Sequence, residues 1–431
     1  MKKSKKSRFS KKILISLLFA SSILFSSCEK KQKSVLFTSN LPSETRGTVM
    51  IAGHYANFEA LEAEFDRFNE YYPNITLSYE FLDDYNRSIL PALKGEAAPD
   101  IFFTFNWMLD KREYDEVFNS AENLSDPAVK INLTALRQEL LMVHSDGQIR
   151  MAPVLVNTYG MLVNRDLLKK YEISVPKTYK NLKKAIAKLK ENGFPSPIFG
   201  YNNSTGLTYS LALPYFCNSI STIPGSVPLL NSLDSEAGKY LKPVLDFTED
   251  FMQTGAVDFE FCGTLKNNYN DVIMRFFNGD IPIVFANGDL VSGTKKREKQ
   301  SSAFTENPFA YSFYPIPVND KGGFFLNFPS VEFSVNKNSK NLEAANEFMR
   351  FLLTTQELNN LSKVKRLVTA STDFSLDEVY SAFGEATPIY FDRIGIMDNV
   401  VKQMRTAVWL VANKKMTAEE TMKNFGSILS E

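Results

Sequence analysis

Residues 151–168, MAPVLVNTYGMLVNRDLL, constrain this chain more than any other stretch. The apolar run from Val154 to Val163 is broken only by Asn157, Thr158 and Gly160, and the polar turn Ser145-Asp146-Gly147-Gln148 precedes it. A run of this kind asks for burial on both faces, so it reads as one long buried strand or a strand pair. Alternating strand and helix signals stand on either side. Residues 281–289 and 324–335 share its strand-like character. Three such passages predict a chain that crosses between two lobes three times.

The upstream half alternates cleanly. Residues 48–53, TVMIAG, form a short apolar strand, followed by His54-Tyr55 and a helix in which Phe58, Leu61, Phe65 and Phe68 recur at helical spacing. A second strand spans 75–81. Asp83-Asp84 then opens a helix carrying Ile89, Leu90 and Leu93, which Pro91 should kink and Gly95 stops. Pro99-Asp100 leads into a third strand at 101–105. This alternation predicts parallel α/β architecture, where ligands collect at the carboxyl ends of strands. Those ends are His54-Tyr55 and Asn106-Trp107. Trp107, one of two tryptophans, is either a core plug or a platform facing a ligand.

Downstream, Thr178 caps a helix with the stripe Leu182, Ile186 and Leu189. Residues 200–210, rich in Asn, Ser and Tyr, read as loop. A strand at 281–286 ends in Asn287-Gly288-Asp289, another polar strand end. The basic run Lys295, Lys296, Arg297 and Lys299 reads as a solvated helix end, and Leu342, Ala345, Phe348 and Leu352 mark a late helix.

Residues 1–27 read as a leader rather than as fold. Seven Lys and Arg precede an apolar run, residues 13–25, that is too short to span a bilayer, and Leu24-Phe25-Ser26-Ser27-Cys28 follows. Small residues before a Cys resemble a lipobox, which would make Cys28 the lipidated residue; the alternative is a plain signal peptide with an incidental cysteine. Residues 28–45 then read as a flexible tether. The leader holds no acidic residue, so the remainder carries 42 Lys and Arg against 49 Asp and Glu. That sign argues against a nucleic-acid partner, which requires a basic footprint. Cys217 and Cys262 are either bridged or two free thiols.

Several segments keep one order through nearly all of the chain past the leader. They are Phe58-Glu59-Ala60-Leu61 through Tyr72-Pro73-Asn74-Ile75, Leu93-Lys94-Gly95-Glu96-Ala97-Ala98-Pro99-Asp100-Ile101, and Tyr159-Gly160-Met161-Leu162-Val163-Asn164-Arg165-Asp166-Leu167. Pro176-Lys177-Thr178-Tyr179, Phe277-Asn278-Gly279-Asp280 and residues 323–353 complete the set. Together they resemble the bacterial extracellular solute-binding proteins of family 1, the maltose-binding-protein-like receptors of ABC importers. The resemblance implies an α/β, two-lobe periplasmic-binding-protein-like fold with a hinge. It divides the chain into residues 46–152 plus 286–328 and residues 153–285 plus 329–431. It implies an exported receptor, anchored in the membrane through its lipid, that presents a sugar, polyol or glycerol phosphate to ABC permease subunits without a cofactor or metal. Carried over position by position, the pocket residues are Tyr55, Asn106, Trp107, Tyr159, Tyr215, Asn287 and Asp289, with His54, Asp84 and Glu332 as weaker candidates. Many relatives have a Trp near Gly288, where this chain has Asp289-Leu290, which argues against a long stacked oligosaccharide.

Two other classes of function place different demands on the sequence. A carbohydrate hydrolase would need a carboxylate pair in a catalytic motif, and no such motif stands in the sequence. Two histidines and no HExxH, GxSxG or Walker string give metal or nucleophilic catalysis no support. A surface lipoprotein of the same fold acting as an adhesin or structural component would share every feature above and lack only the permease.

Overall fold

Parallel pairing starts where the alternating pattern predicts it. The computed structural model describes residues 34–200, 203–265, 269–373, 376–385 and 388–423. Its strands, in chain order, are β1 (Gly47–Gly53), β2 (Ile75–Phe81), β3 (Ile101–Thr104), β4 (Ala152–Asn164), β5 (Ile198–Phe199) and β6 (Ile283–Asn287). There follow β7 (Tyr311–Tyr314), β8 (Ile316–Asn319), β9 (Gly322–Phe324), β10 (Leu326–Val335), β11 (Val368–Thr369) and β12 (Ile389–Tyr390). β1 lies between β2 and β3, parallel to both. The connecting helices are α1 (Glu59–Asn69) and α2 (Tyr85–Lys94). α1 buries Leu61, Phe65 and Phe68, the stripe read from the sequence.

The long strand β4 is the spine. One sheet runs β2-β1-β3-β10-β4-β6-β5, with β7 and β11 also paired to β4. The first half of β4, from Ala152 to Tyr159, pairs antiparallel with β10. Its second half, from Tyr159 to Asn164, pairs with β6 and β7. β10 in turn runs from β12 at Leu326 to β3 at Val335. Two antiparallel strands therefore pass from one half of the molecule to the other. Burial along β4 is nearly continuous, with only Asn157 and Tyr159 partly open, because both of its faces are covered.

β6 is hydrogen-bonded to β4 on one edge and β5 on the other. β11 pairs with Leu155 and Val156 of β4, and Glu378–Glu385 packs against β7. The helices Leu342–Leu352 and Thr355–Lys365 pack on α1 and β1. Phe348 meets Phe65 and Phe68 with ring centroids 5.7 and 5.3 Å apart. Helical periodicity specifies the buried face but not the partner it is buried against. Tyr311–Tyr314 pairs with the second half of β4, whereas Leu326–Phe328 pair with its first half.

Part of the stretch expected as tether makes contacts with the fold. The folded unit begins at Ser34. Val35 exchanges two 3.0 Å hydrogen bonds with Thr355, the Asn40 amide donates to Glu347 at 2.7 Å, and Phe37 packs edge-on against Tyr71 and Phe351. Backbone-mediated docking of this kind leaves no periodic trace in a sequence. The leader and Cys28 lie outside the described residues. No helix among the described residues is long and apolar enough to cross a membrane. Cys217 and Cys262 are both buried free thiols, and burial lifts the Cys262 thiol to about 11.

Candidate functional site

Two cavities differ in their surroundings. The larger, about 580 Å³, is lined by Val175, Thr178, Tyr314, Asn319, Gly323 and neighbours. The other, about 270 Å³, lies where the crossing strands meet. Its first wall is Phe105, Asn106, Trp107 and Leu109 after β3; its second is Tyr209, Phe391, Asp392 and Ile396; Phe328 and Pro329 of β10 form its floor.

Local structure explains each position. β3 stops at Thr104, and a tight 3₁₀ turn, Asn106–Met108, follows. The turn is closed by bonds from Met108 to Phe105 and from Leu109 to Asn106, both 3.0 Å, and it swings Asn106 and Trp107 into the cavity. Asn106 is the joint of the site. Its side-chain amide donates to Asp392 at 2.6 Å and its backbone N–H donates to the Glu332 carboxyl. Asn106 Oδ1 and Glu332 Oε1 are buried without a hydrogen-bond partner, and such atoms cost free energy unless a ligand or water meets them.

The electrostatics follow from burial. Asp392 is lifted to about 6 by desolvation, opposed by the Asn106 bond and assisted by the charge of Asp110. Glu332, 1% exposed, is held well above the ordinary carboxylate range by burial and by Asp392. Aromatic rings supply the rest of the wall. Phe391 packs on Phe328 at 4.7 Å, and Tyr209 on Phe328 at 5.4 Å. Tyr209 itself rides on a π-helical turn, Thr208–Ala212, an irregularity common at functional sites. Trp107 lies parallel to Phe105 and beneath the Lys111 ammonium, 4.4 Å from the ring centre.

The predicted residues fall into three places. Asn106 and Trp107 line the cavity. Tyr159 backs it, stacked on Tyr209 at 5.6 Å with its hydroxyl bonded to Asn287. Tyr55, Asn287 and Asp289 form a polar flank: Asp289 accepts from Asn157 at 3.0 Å, its charge reaches Tyr55 and Lys365, and Lys365 sits 4.9 Å over the Tyr55 ring. Burial raises Asp289 and lowers Lys365. A methyl group at Gly288 would stand 2.9 Å from Leu367 and 3.1 Å from Asn157 Oδ1, so the backbone there is packed tightly. Asn287 is a helix cap, accepting from Leu290 at 3.1 Å. Tyr215 is elsewhere, stacked on Phe247 at 4.3 Å.

Among the weaker candidates, Glu332 is buried behind Asn106, accepting from its backbone N–H. His54 packs on Phe105 behind the site, and Asp84 is a surface residue paired with Arg87. Sequence reasoning missed Tyr209, Phe391 and Asp392. Tyr209 lies in the stretch read as loop, which is helical from Ser204 to Leu207 and π-helical after it. Asp392 sits on a short 3₁₀ turn, Phe391–Ile394, with no motif around it.

The model of the family described as bacterial extracellular solute-binding protein matches residues 52–358. The chain belongs to that family. No curated protein matches it. Among solved structures, this solute-binding protein is similar to the apo form of RafE from Streptococcus pneumoniae, with TM-score 0.70 at 14% identity over 90% of this chain and 98% of that one. The sugar-binding protein MalE from Xanthomonas citri gives TM-score 0.69 at 17% identity over 88% and 95%. A sugar transporter from Bacillus licheniformis in complex with stachyose gives 0.62 at 18% over 88% and 98%. At such identities the likeness shows the two-lobe fold.

Proposed function

We propose that this protein is a lipid-anchored receptor of an ABC importer that captures a sugar or related small polar solute by closing its two lobes on the cavity at Asn106 and Asp392. What supports this reading is a cavity lined by residues far apart in the chain, Asn106 and Trp107 on one side and Phe391 and Asp392 on the other, with the buried Asn106 Oδ1 left without a partner. A site that needs hydrogen-bond partners and is walled by aromatic rings suits a sugar, whose C–H faces pack on rings while its hydroxyls meet carboxyls and amides. RafE is also solved in complex with raffinose, and the Bacillus licheniformis relative holds stachyose. The lipid anchor rests on the leader and Cys28, and would present the receptor at the outer face of a membrane to permease subunits.

The test is a thermal-shift screen of the purified protein against monosaccharides, oligosaccharides, polyols and glycerol phosphates. Ligand at about a hundred times its dissociation constant adds about 2.7 kcal/mol to the folded state, a readable rise in melting temperature. A rise with one sugar class supports the reading. Silence across the panel would remove it.

A further inference from the structure

The cavity leaves one acid without a counter-charge. Asp392 lines it with Asp110 and Asp398, and among the described residues no Lys or Arg pairs with Asp392. Asp398 differs: Lys111 at 3.6 Å and Lys402 at 3.0 Å neutralise it. Lys111 is occupied over Trp107 and by Asp398. Asn106 Oδ1, unmet on the same wall, adds an acceptor, and the surrounding rings of Tyr209, Phe328 and Phe391 present the faces or edges that accompany a bound cation. A carboxylate buried with no cation beside it is costly when empty and is relieved by a positive charge.

Resting on the sugar reading, we infer that the solute carries a protonated amine on a hydroxylated ring, an amino sugar, with its ammonium group set against Asp392. The ammonium donates to Asp392, while a ring hydroxyl donates to Asn106 Oδ1. Hydrogen bonds with an ionised partner are roughly twice as strong as neutral ones, so the charge should separate otherwise similar sugars.

The experiment is titration calorimetry of the purified protein at about pH 7, where the amine is largely protonated, with glucosamine, glucose, N-acetylglucosamine and choline. Glucosamine should bind at least about tenfold more tightly than glucose or N-acetylglucosamine, a gap of about 1.4 kcal/mol. In Asp392→Asn, whose fold is checked by circular dichroism, that preference should vanish. Equal affinity for glucose and glucosamine overturns the charge inference and leaves the sugar reading standing. Binding of choline without glucosamine overturns the hydroxylated ring. An unchanged preference in Asp392→Asn overturns the role of that carboxyl, and no binding by any sugar overturns the reading beneath.

Discussion

Two regions bury carboxyl groups, and they treat them in opposite ways. On the first lobe, Glu347 accepts from Arg350 at 2.7 Å, from the Asn40 amide at 2.7 Å and from the Tyr72 hydroxyl. Beside it, Arg67 joins Glu357 at 2.8 Å and also Glu64. Burial and the nearby Glu357 lift Glu64 to about 9, so Glu64 keeps its proton at neutral pH and the trio is balanced. In the cleft, Asp392 has one amide from Asn106, the charge of Asp110 nearby, and no Lys or Arg partner among the described residues. The first region is finished by the protein itself. The second awaits something from outside, and that contrast separates a structural network from a binding site better than burial alone.

The sharpest way to break the contrast is to unbalance the finished region. Arg350→Met should leave Glu347 buried and unpaired, costing about 3–5 kcal/mol of stability in urea unfolding while the solute-induced rise in melting temperature persists in what remains folded. Loss of that rise with no loss of stability would reverse the roles of the two regions.

Next comes the cleft wall. Trp107→Ala should cost roughly 1–3 kcal/mol of binding. Seen from sequence as a free platform, it would leave the empty protein nearly as stable. The ring's contacts with Phe105, Tyr114 and Lys111 instead predict a stability loss as well, of roughly 1–3 kcal/mol. Calorimetry and unfolding on the same variant separate the two effects.

A smaller effect has a definite sign. Asp392 is raised from about 3.8 to about 6 by folding, so between those values the folded state holds the extra proton and stability falls as pH rises. The groups facing it are Asp110, whose charge assists the rise, and Glu332, which burial holds well above the ordinary carboxylate range. Asp392→Asn should remove that slope and stabilise the empty protein by roughly 1–2 kcal/mol above the window. A variant whose pH profile matches wild type would show that the carboxylate is compensated after all. Smallest is Phe37→Ala, which should cost about 1 kcal/mol through the docked N-terminal segment and leave binding unchanged; a change in solute affinity would tie that segment to the cleft.

Much of the fold was legible because periodicity carries it. Strands β1 to β3 and the stripe Leu61, Phe65 and Phe68 follow from apolar spacing, and the strand-end rule located Asn106 and Trp107. The packing partner of the late helix was not legible, since the stripe Ala345, Phe348 and Leu352 states that a face is buried but not that α1 buries it. Nor was the far wall of the cleft. Asp392 follows a two-residue strand that pairs with Leu326 and Asn327 of β10, and a short turn placed by so distant a pairing has no local pattern to announce it. Tyr215 shows the converse: aromatic and near the right place in the chain, it stacks on Phe247.

The most direct test of the central claim is hydrogen–deuterium exchange with and without a sugar that raises the melting temperature. If the solute sits between the lobes, protection should gather on residues 105–109 and 391–401 together, one segment from each wall. Protection confined to residues 175–178 and 322–324, around the larger cavity, would contradict it.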